Sequence, residues 1–177
     1  VYDPSLGENE RTGERSGKRD DRWAFTNRDK SLEYHVAAAL AAAARVLKGH
    51  EDALAAECLA CAEKAWHYEQ AHSPVSFRCA YVPGHPEAQE LIATAELFLT
   101  TGKSCYRDLL IEKRVILKEN FALAGWAVAR TLPLIENHAF REDCRSAAAA
   151  YSSEVASDVG DNPFGVPWHP HIWGVGW

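Results

Sequence analysis

Residues 37–44 read Ala-Ala-Ala-Leu-Ala-Ala-Ala-Ala. No other stretch limits the fold as strongly. The run is apolar around most of a helix circumference, and such a helix is buried on most of its sides. Its side chains are small, so neighbouring helices can approach closely. The segment therefore predicts an inner helix of a layered, all-helical fold. Ser31 is the expected N-cap, with the helix ending near Leu47, before Gly49.

The following segments repeat the theme with variations. A second helix is expected over about Glu51–Ala71, with Leu54, Cys58, Cys61, Ala65 and Tyr68 as its apolar stripe. Asp52, Glu57, Glu63, Lys64 and Glu69 occupy its other faces, which marks it as an outer helix. Residues 72–84 form a loop holding Pro74 and Pro83. A third helix is predicted over about Pro86–Thr101, opened by Pro86 and stopped by Gly102. Its stripe is Leu91, Ala95, Phe98 and Leu99. A short fourth helix is expected at about Tyr106–Lys113. A fifth, inner one is expected at Glu119–Leu132, interrupted by Pro133, and a sixth at about Arg141–Ser157. No strand pattern appears and no motif recurs at a fixed period, which disfavours a tetratricopeptide-type solenoid. Paired helices in a curved or closed double layer fit better. Two regions follow: a loop-rich connection over residues 1–30 and a helix-hairpin portion over residues 31–177.

The bulk properties exclude some roles. The net charge of −6 argues against a nucleic-acid partner, which calls for a basic face. The longest apolar candidate, Val36–Val46, is too short to span a bilayer, so no membrane partner is expected. The chain has no methionine and begins at Val1, so it is expected to be a piece of a longer protein. Cys58 and Cys61 form a C-x-x-C inside a predicted helix, without the second pair that zinc spacing requires. Buried structural thiols are the expectation.

Chemistry concentrates at the C-terminus. Asp161–Trp177 packs Trp168, Trp173, Trp177, His169 and His171 among three prolines and three glycines. Gly and Pro prevent a regular helix there. Three indoles on a loop beside a helical scaffold read as a ligand-facing surface suited to sugar rings. The competing reading buries them beneath a long loop. His169 is expected to hydrogen-bond a polar ligand. Metal binding by His169 and His171 needs a third ligand that cannot be assigned. Asp158 and Asp161 pair two carboxylates across a glycine, but a helix exit and turn explain them better.

Three groups of residues together resemble glycoside hydrolase family 9 catalytic domains. The first is Asp20-Asp21-Arg22-Trp23-Ala24-Phe25-Thr26 followed by Ser31-Leu32-Glu33-Tyr34 and the alanine run. The second is Glu90-Leu91, Glu96-Leu97-Phe98 and Thr101-Gly102 with Tyr106. The third is Asn162-Pro163-Phe164-Gly165-Val166-Pro167-Trp168 with Ile172-Trp173-Gly174-Val175-Gly176-Trp177. The nearest branch carries an N-terminal immunoglobulin-like module. The resemblance implies an all-α fold, part of an (α/α)6 barrel. It implies inverting hydrolysis of β-1,4-glucan by a secreted or periplasmic enzyme. The family's base and acid carboxylates map outside this chain, so no catalytic residue is assigned. No cofactor is implied. Calcium is common in relatives, but no ligands for it are assignable here. The cleft wall does transfer: Trp177, Trp173, Trp168, Trp23, Tyr34 and His169 are the expected substrate-binding residues. Ile92 and Ala93 stand where many relatives carry a tryptophan. The alternative is a non-catalytic α/α scaffold or degenerate glycosidase that grips a glycan or protein through the aromatic loop.

Overall fold

The computed structural model describes residues 28–76, 84–160 and 165. Seven α-helices follow one another there: α1 (Lys30–Leu47), α2 (Asp52–Ala71), α3 (Pro86–Thr101), α4 (Ser104–Glu112), α5 (Arg114–Glu119), α6 (Phe121–Ala129) and α7 (His138–Gly160). A single 3-10 turn, Leu132–Leu134, joins α6 to α7. No strand occurs among the described residues.

Side-chain bonds fix how the helices run. His35 near the start of α1 meets Gln89 near the start of α3, while Arg45 near the end of α1 meets Glu96 and Thr100 near the end of α3. The two helices are therefore parallel neighbours. Just past the end of α6, Arg130 reaches the same Glu96, and Leu123 and Trp126 of α6 face Ile92 and Glu96 of α3. These contacts make α6 the third member of a parallel row. The partner layer runs the other way. Glu63 of α2 bonds Lys103 and Tyr106 beyond the end of α3, Trp66 bonds Thr94, and Gln70 bonds Glu90 near its start. Likewise Phe121 at the start of α6 meets Tyr151 midway along α7. Two antiparallel layers result, with α1, α3 and α6 in one and α2, α4 and α7 in the other.

Burial follows from position. The centre of the row is α3, where every residue from Glu90 to Phe98 is buried. It carries apolar residues on all faces because neighbours press on it from three sides. The core joins Tyr34, Ala37 and Ala41 of α1 to Trp66 of α2, Leu91 and Leu97 of α3, Tyr106 and Leu110 of α4, and Phe140 of α7. Trp66 lies edge-on to Tyr106 at 5.0 Å between ring centroids.

Several expectations shift. The N-cap of α1 is Asp29, whose carboxylate accepts the Leu32 N–H at 2.9 Å, while Ser31 is buried inside the first turn. Ionised carboxylate capping satisfies an orphan amide and complements the helix dipole. On α2 the buried stripe is Ala55, Ala62, Trp66 and Glu69, and Leu54 and Tyr68 are exposed. The buried stripe lies one position on from the expected one, because the ion pair with Arg28 lets Glu69 be buried. Cys61 and Cys105 are exposed, Cys58 is half-buried and Cys144 is buried, all as free thiols. The C-x-x-C pair therefore sits on the outer flank of α2, not in the core. Helix α4 begins at Ser104, a separate helix α5 precedes α6, and α7 starts three residues earlier than the pattern suggests, at His138.

Candidate functional site

Both α1 and α3 begin at one end of the row, and a network of charged and polar groups gathers there. Tyr34 sits in the first turns of α1, fully buried, and its hydroxyl accepts a 2.6 Å hydrogen bond from Gln70 Nε2. The same amide donates to Glu90 Oε1 at 2.5 Å, and Lys113 Nζ pairs with Glu90 Oε2 at 2.6 Å. Burial, then the negative charges of Glu90 and Glu69, push the Tyr34 phenol well above its ordinary range. The phenol therefore stays protonated and serves as a hydrogen-bonding post rather than a base.

Beside it, Glu69 has a fully buried side chain and accepts from Arg28 Nε at 2.8 Å. That hydrogen bond raises the Arg28 guanidinium pKa further. Arg28 also lies over the Tyr68 ring at 4.6 Å, and His72 stacks on that ring at 3.9 Å. Glu69 Oε2 has no hydrogen-bond partner among the described residues. At the entrance to α3, His85 holds a left-handed backbone with φ of 60°, uncommon for a residue with a side chain.

The opposite end of the row is tied by Glu96. Its two oxygens take Arg45 at 2.6 Å and Arg130 at 2.5 Å, so one buried carboxylate of α3 joins α1 and the end of α6. Pairing of this kind is what permits a charge in a core. Glu69, Glu90 and Glu96, the three buried glutamates among the described residues, are thus each held by a cation. A signal for two of them existed in the sequence: Glu90 and Glu96 interrupt an otherwise apolar helix.

Of the expected binding residues, Tyr34 is the one that the structure describes, and it stands inside this network. Trp23, Trp168, His169, Trp173 and Trp177 lie outside the described residues. Asp158 lies half-buried in the last turn of α7, and Asp161 lies outside the described residues. Among the described residues no three His, Cys, Asp or Glu side chains gather as a metal site, and no helix is long and apolar enough to cross a membrane.

The sequence model of Glycosyl hydrolase family 9 matches residues 8–169. The chain belongs to glycosyl hydrolase family 9. Two solved structures share its fold. A metagenome-derived glycoside hydrolase family 9 endoglucanase superposes with a TM-score of 0.61 at 21% identity, over 78% of this chain and 28% of that one. The Bacteroides ovatus family 9 protein gives 0.55 at 22% identity, over 80% and 30%. The chain thus spans less than a third of either structure's length. A search among curated proteins gave no match. The two layers described above are part of the (α/α)6 barrel of these family 9 structures, with α1, α3 and α6 in the inner ring.

Proposed function

We propose that this family 9 chain is the cleft-wall portion of an inverting hydrolase acting on β-1,4-glucan. One observation carries the reading: the family match runs through residues 8–169, from the connection before α1 into the Trp168-His169 stretch. That match covers Trp23, Tyr34, Trp168 and His169 together. The aromatic loop, including Trp173 and Trp177, supplies flat apolar faces for glucose rings, and His169 supplies a polar contact at a ring edge. Tyr34 acts from beneath, holding the α1 entrance through Gln70 and Glu90. Inverting hydrolysis uses one carboxylate to activate water and one carboxylic acid to protonate the leaving oxygen, roughly 6.5–9.5 Å apart. We assign neither role within this chain. The buried glutamates among the described residues, Glu69, Glu90 and Glu96, are already paired with cations, and a general acid must be free to give up a proton. A polymeric glucan substrate places the parent protein outside the cytoplasm.

The test is calorimetric titration of cellohexaose into the 177-residue chain. Saturable binding is expected, weakened about tenfold by Trp177→Ala, with no release of reducing ends. Binding that ignores Trp177→Ala, Trp173→Ala and Trp168→Ala would remove the aromatic loop from the account. Hydrolysis by the chain alone, abolished by Asp161→Asn, would instead place the catalytic base here.

A further inference from the structure

We propose that His35 and Gln89 form a hydroxyl-reading pair, which holds the equatorial 2- and 3-hydroxyls of one glucose unit and so tells gluco- from manno-configured β-1,4 chains. The inference rests on the glucan reading above and adds two residues to it. His35 follows Tyr34 near the start of α1, and Gln89 precedes Glu90 in the first turn of α3. Tyr34 and Glu90 are buried in the network with Gln70. Their chain neighbours turn the other way, onto a groove of about 410 Å³ between α1, α3 and α6. This is the side of the inner row turned away from α2, α4 and α7, and in the (α/α)6 barrel it faces the axis.

Location ties the pair to the expected binding residues. Helices α1 and α3 both begin at this end of the row. Helix α7 runs against α6, with Tyr151 beside Phe121 at the start of α6, and continues to Gly160. Its last turns therefore reach the same end. The connection that carries Trp23 enters α1 there, and the stretch that carries Trp168, His169, Trp173 and Trp177 leaves α7 there.

The chemistry of the pair fits a vicinal diol. His35 Nδ1 and Gln89 Oε1 are 3.2 Å apart. The amide oxygen can only accept, so Nδ1 carries the hydrogen and donates it. In the neutral ring Nε2 is then left as an acceptor, and the Gln89 amide nitrogen is left with its donors. No other side-chain bond occupies either residue. Each sugar hydroxyl both donates and accepts, so two adjacent hydroxyls can take one bond from Gln89 and give one to His35. The equatorial 2- and 3-hydroxyls of glucose lie side by side at the ring edge. In mannose the 2-hydroxyl is axial and leaves that edge. Ala38, Ala39 and Ile92 line the groove beside the pair and bring no competing polar side chain. The charge there, Glu96, is taken by Arg45 and Arg130. The buried network fixes α1 and α3 at Tyr34 and Glu90, so the pair is set before a sugar arrives, which lowers the cost of binding.

Calorimetric titration of the 177-residue chain with cellohexaose and, separately, with β-1,4-mannohexaose provides the test. The parent chain should bind cellohexaose about fivefold more tightly, the worth of one hydrogen bond. His35→Ala and Gln89→Ala should each weaken cellohexaose about fivefold and leave mannohexaose within about twofold, so that the preference disappears. Circular dichroism verifies that each variant keeps its helices. Equal affinity of the parent chain for the two hexaoses would overturn the pair, whatever the variants do. So would variants that weaken both sugars alike, which is the signature of a merely structural role. In either case Trp177-dependent binding of cellohexaose leaves the glucan reading standing. Binding of neither hexaose would overturn that reading, and the pair with it.

Discussion

The two faces of the inner row are built from the same helices yet behave oppositely. Toward α2, α4 and α7 the row presents Tyr34, Ala41, Leu97 and Phe98, all buried. Away from them it presents Ala39, Leu123 and Trp126, all exposed. Composition does not separate the faces, since both are apolar. What separates them among the described residues is that α2, α4 and α7 cover one of the two. A helix apolar all round calls for neighbours on every side. Among the described residues α3 has its neighbours, and none lies on the Trp126 side of α6.

Truncating one side chain on each face should give the largest difference between them. Leu97→Ala, within the covered face, should destabilise the chain by about 2–5 kcal/mol. Leu123→Ala, on the open face, should cost no more than about 0.5 kcal/mol. Urea denaturation of both variants measures the difference, and equal losses would erase the distinction between faces.

A smaller effect is expected where the faces meet. Arg45→Ala removes one of the two cations on buried Glu96, and Arg130 remains. A loss of about 1–3 kcal/mol is expected. The same substitution made in Arg130→Ala should cost more than in the parent, because the carboxylate is then left unpaired. Additive losses in that double-mutant cycle would show that the two arginines do not share Glu96. Smaller again is Asp29→Ala, which removes the α1 cap and should lower stability by about 1 kcal/mol. The corresponding change at Ser31 should act through packing alone.

The outer layer adds a pH dependence. Burial pushes the Glu63 carboxyl pKa up, but bonds from Lys103 and Tyr106 outweigh it and hold the pKa below the usual 4.5. A depressed folded-state pKa gives stability that is present above the unfolded value and lost as pH falls through the folded one. Acid should therefore weaken the α2/α4 contact below about pH 4.5. Glu63→Gln should flatten that part of the stability profile, measured by thermal unfolding between neutral and acidic pH. An unchanged acid limb would remove Glu63 from the account. The same burial logic raises the Cys144 thiol to about 11. It should therefore react with thiol reagents far more slowly than exposed Cys61 and Cys105.

Much of the scaffold was legible from residue patterns. The bounds of α3 follow from Pro86, its apolar content and Gly102, and the structure places the helix at Pro86–Thr101. The inner placement of α1 follows from its alanines. Other features were hidden for physical reasons. Asp29 and Ser31 are both good caps, and only the backbone conformation decides between them. The α2 stripe was displaced because Glu69 is buried, and its burial depends on Arg28, forty-one residues earlier in the chain. The parallel tie at Glu96 likewise needs arginines from two other segments, which no local pattern reveals. At the candidate site, the aromatic cluster was read from its composition, whereas the Tyr34–Gln70–Glu90 network appears only once α1, α2 and α3 are together.

Hydroxyl-radical footprinting resolved by mass spectrometry compares the two faces directly through two tryptophans. Trp66 on the covered side is 6% exposed and Trp126 on the open side is 59% exposed. In dilute solution Trp126 should oxidise rapidly and Trp66 slowly. Equal protection of both residues in the dilute chain would contradict the account, because the second face would then be covered from within.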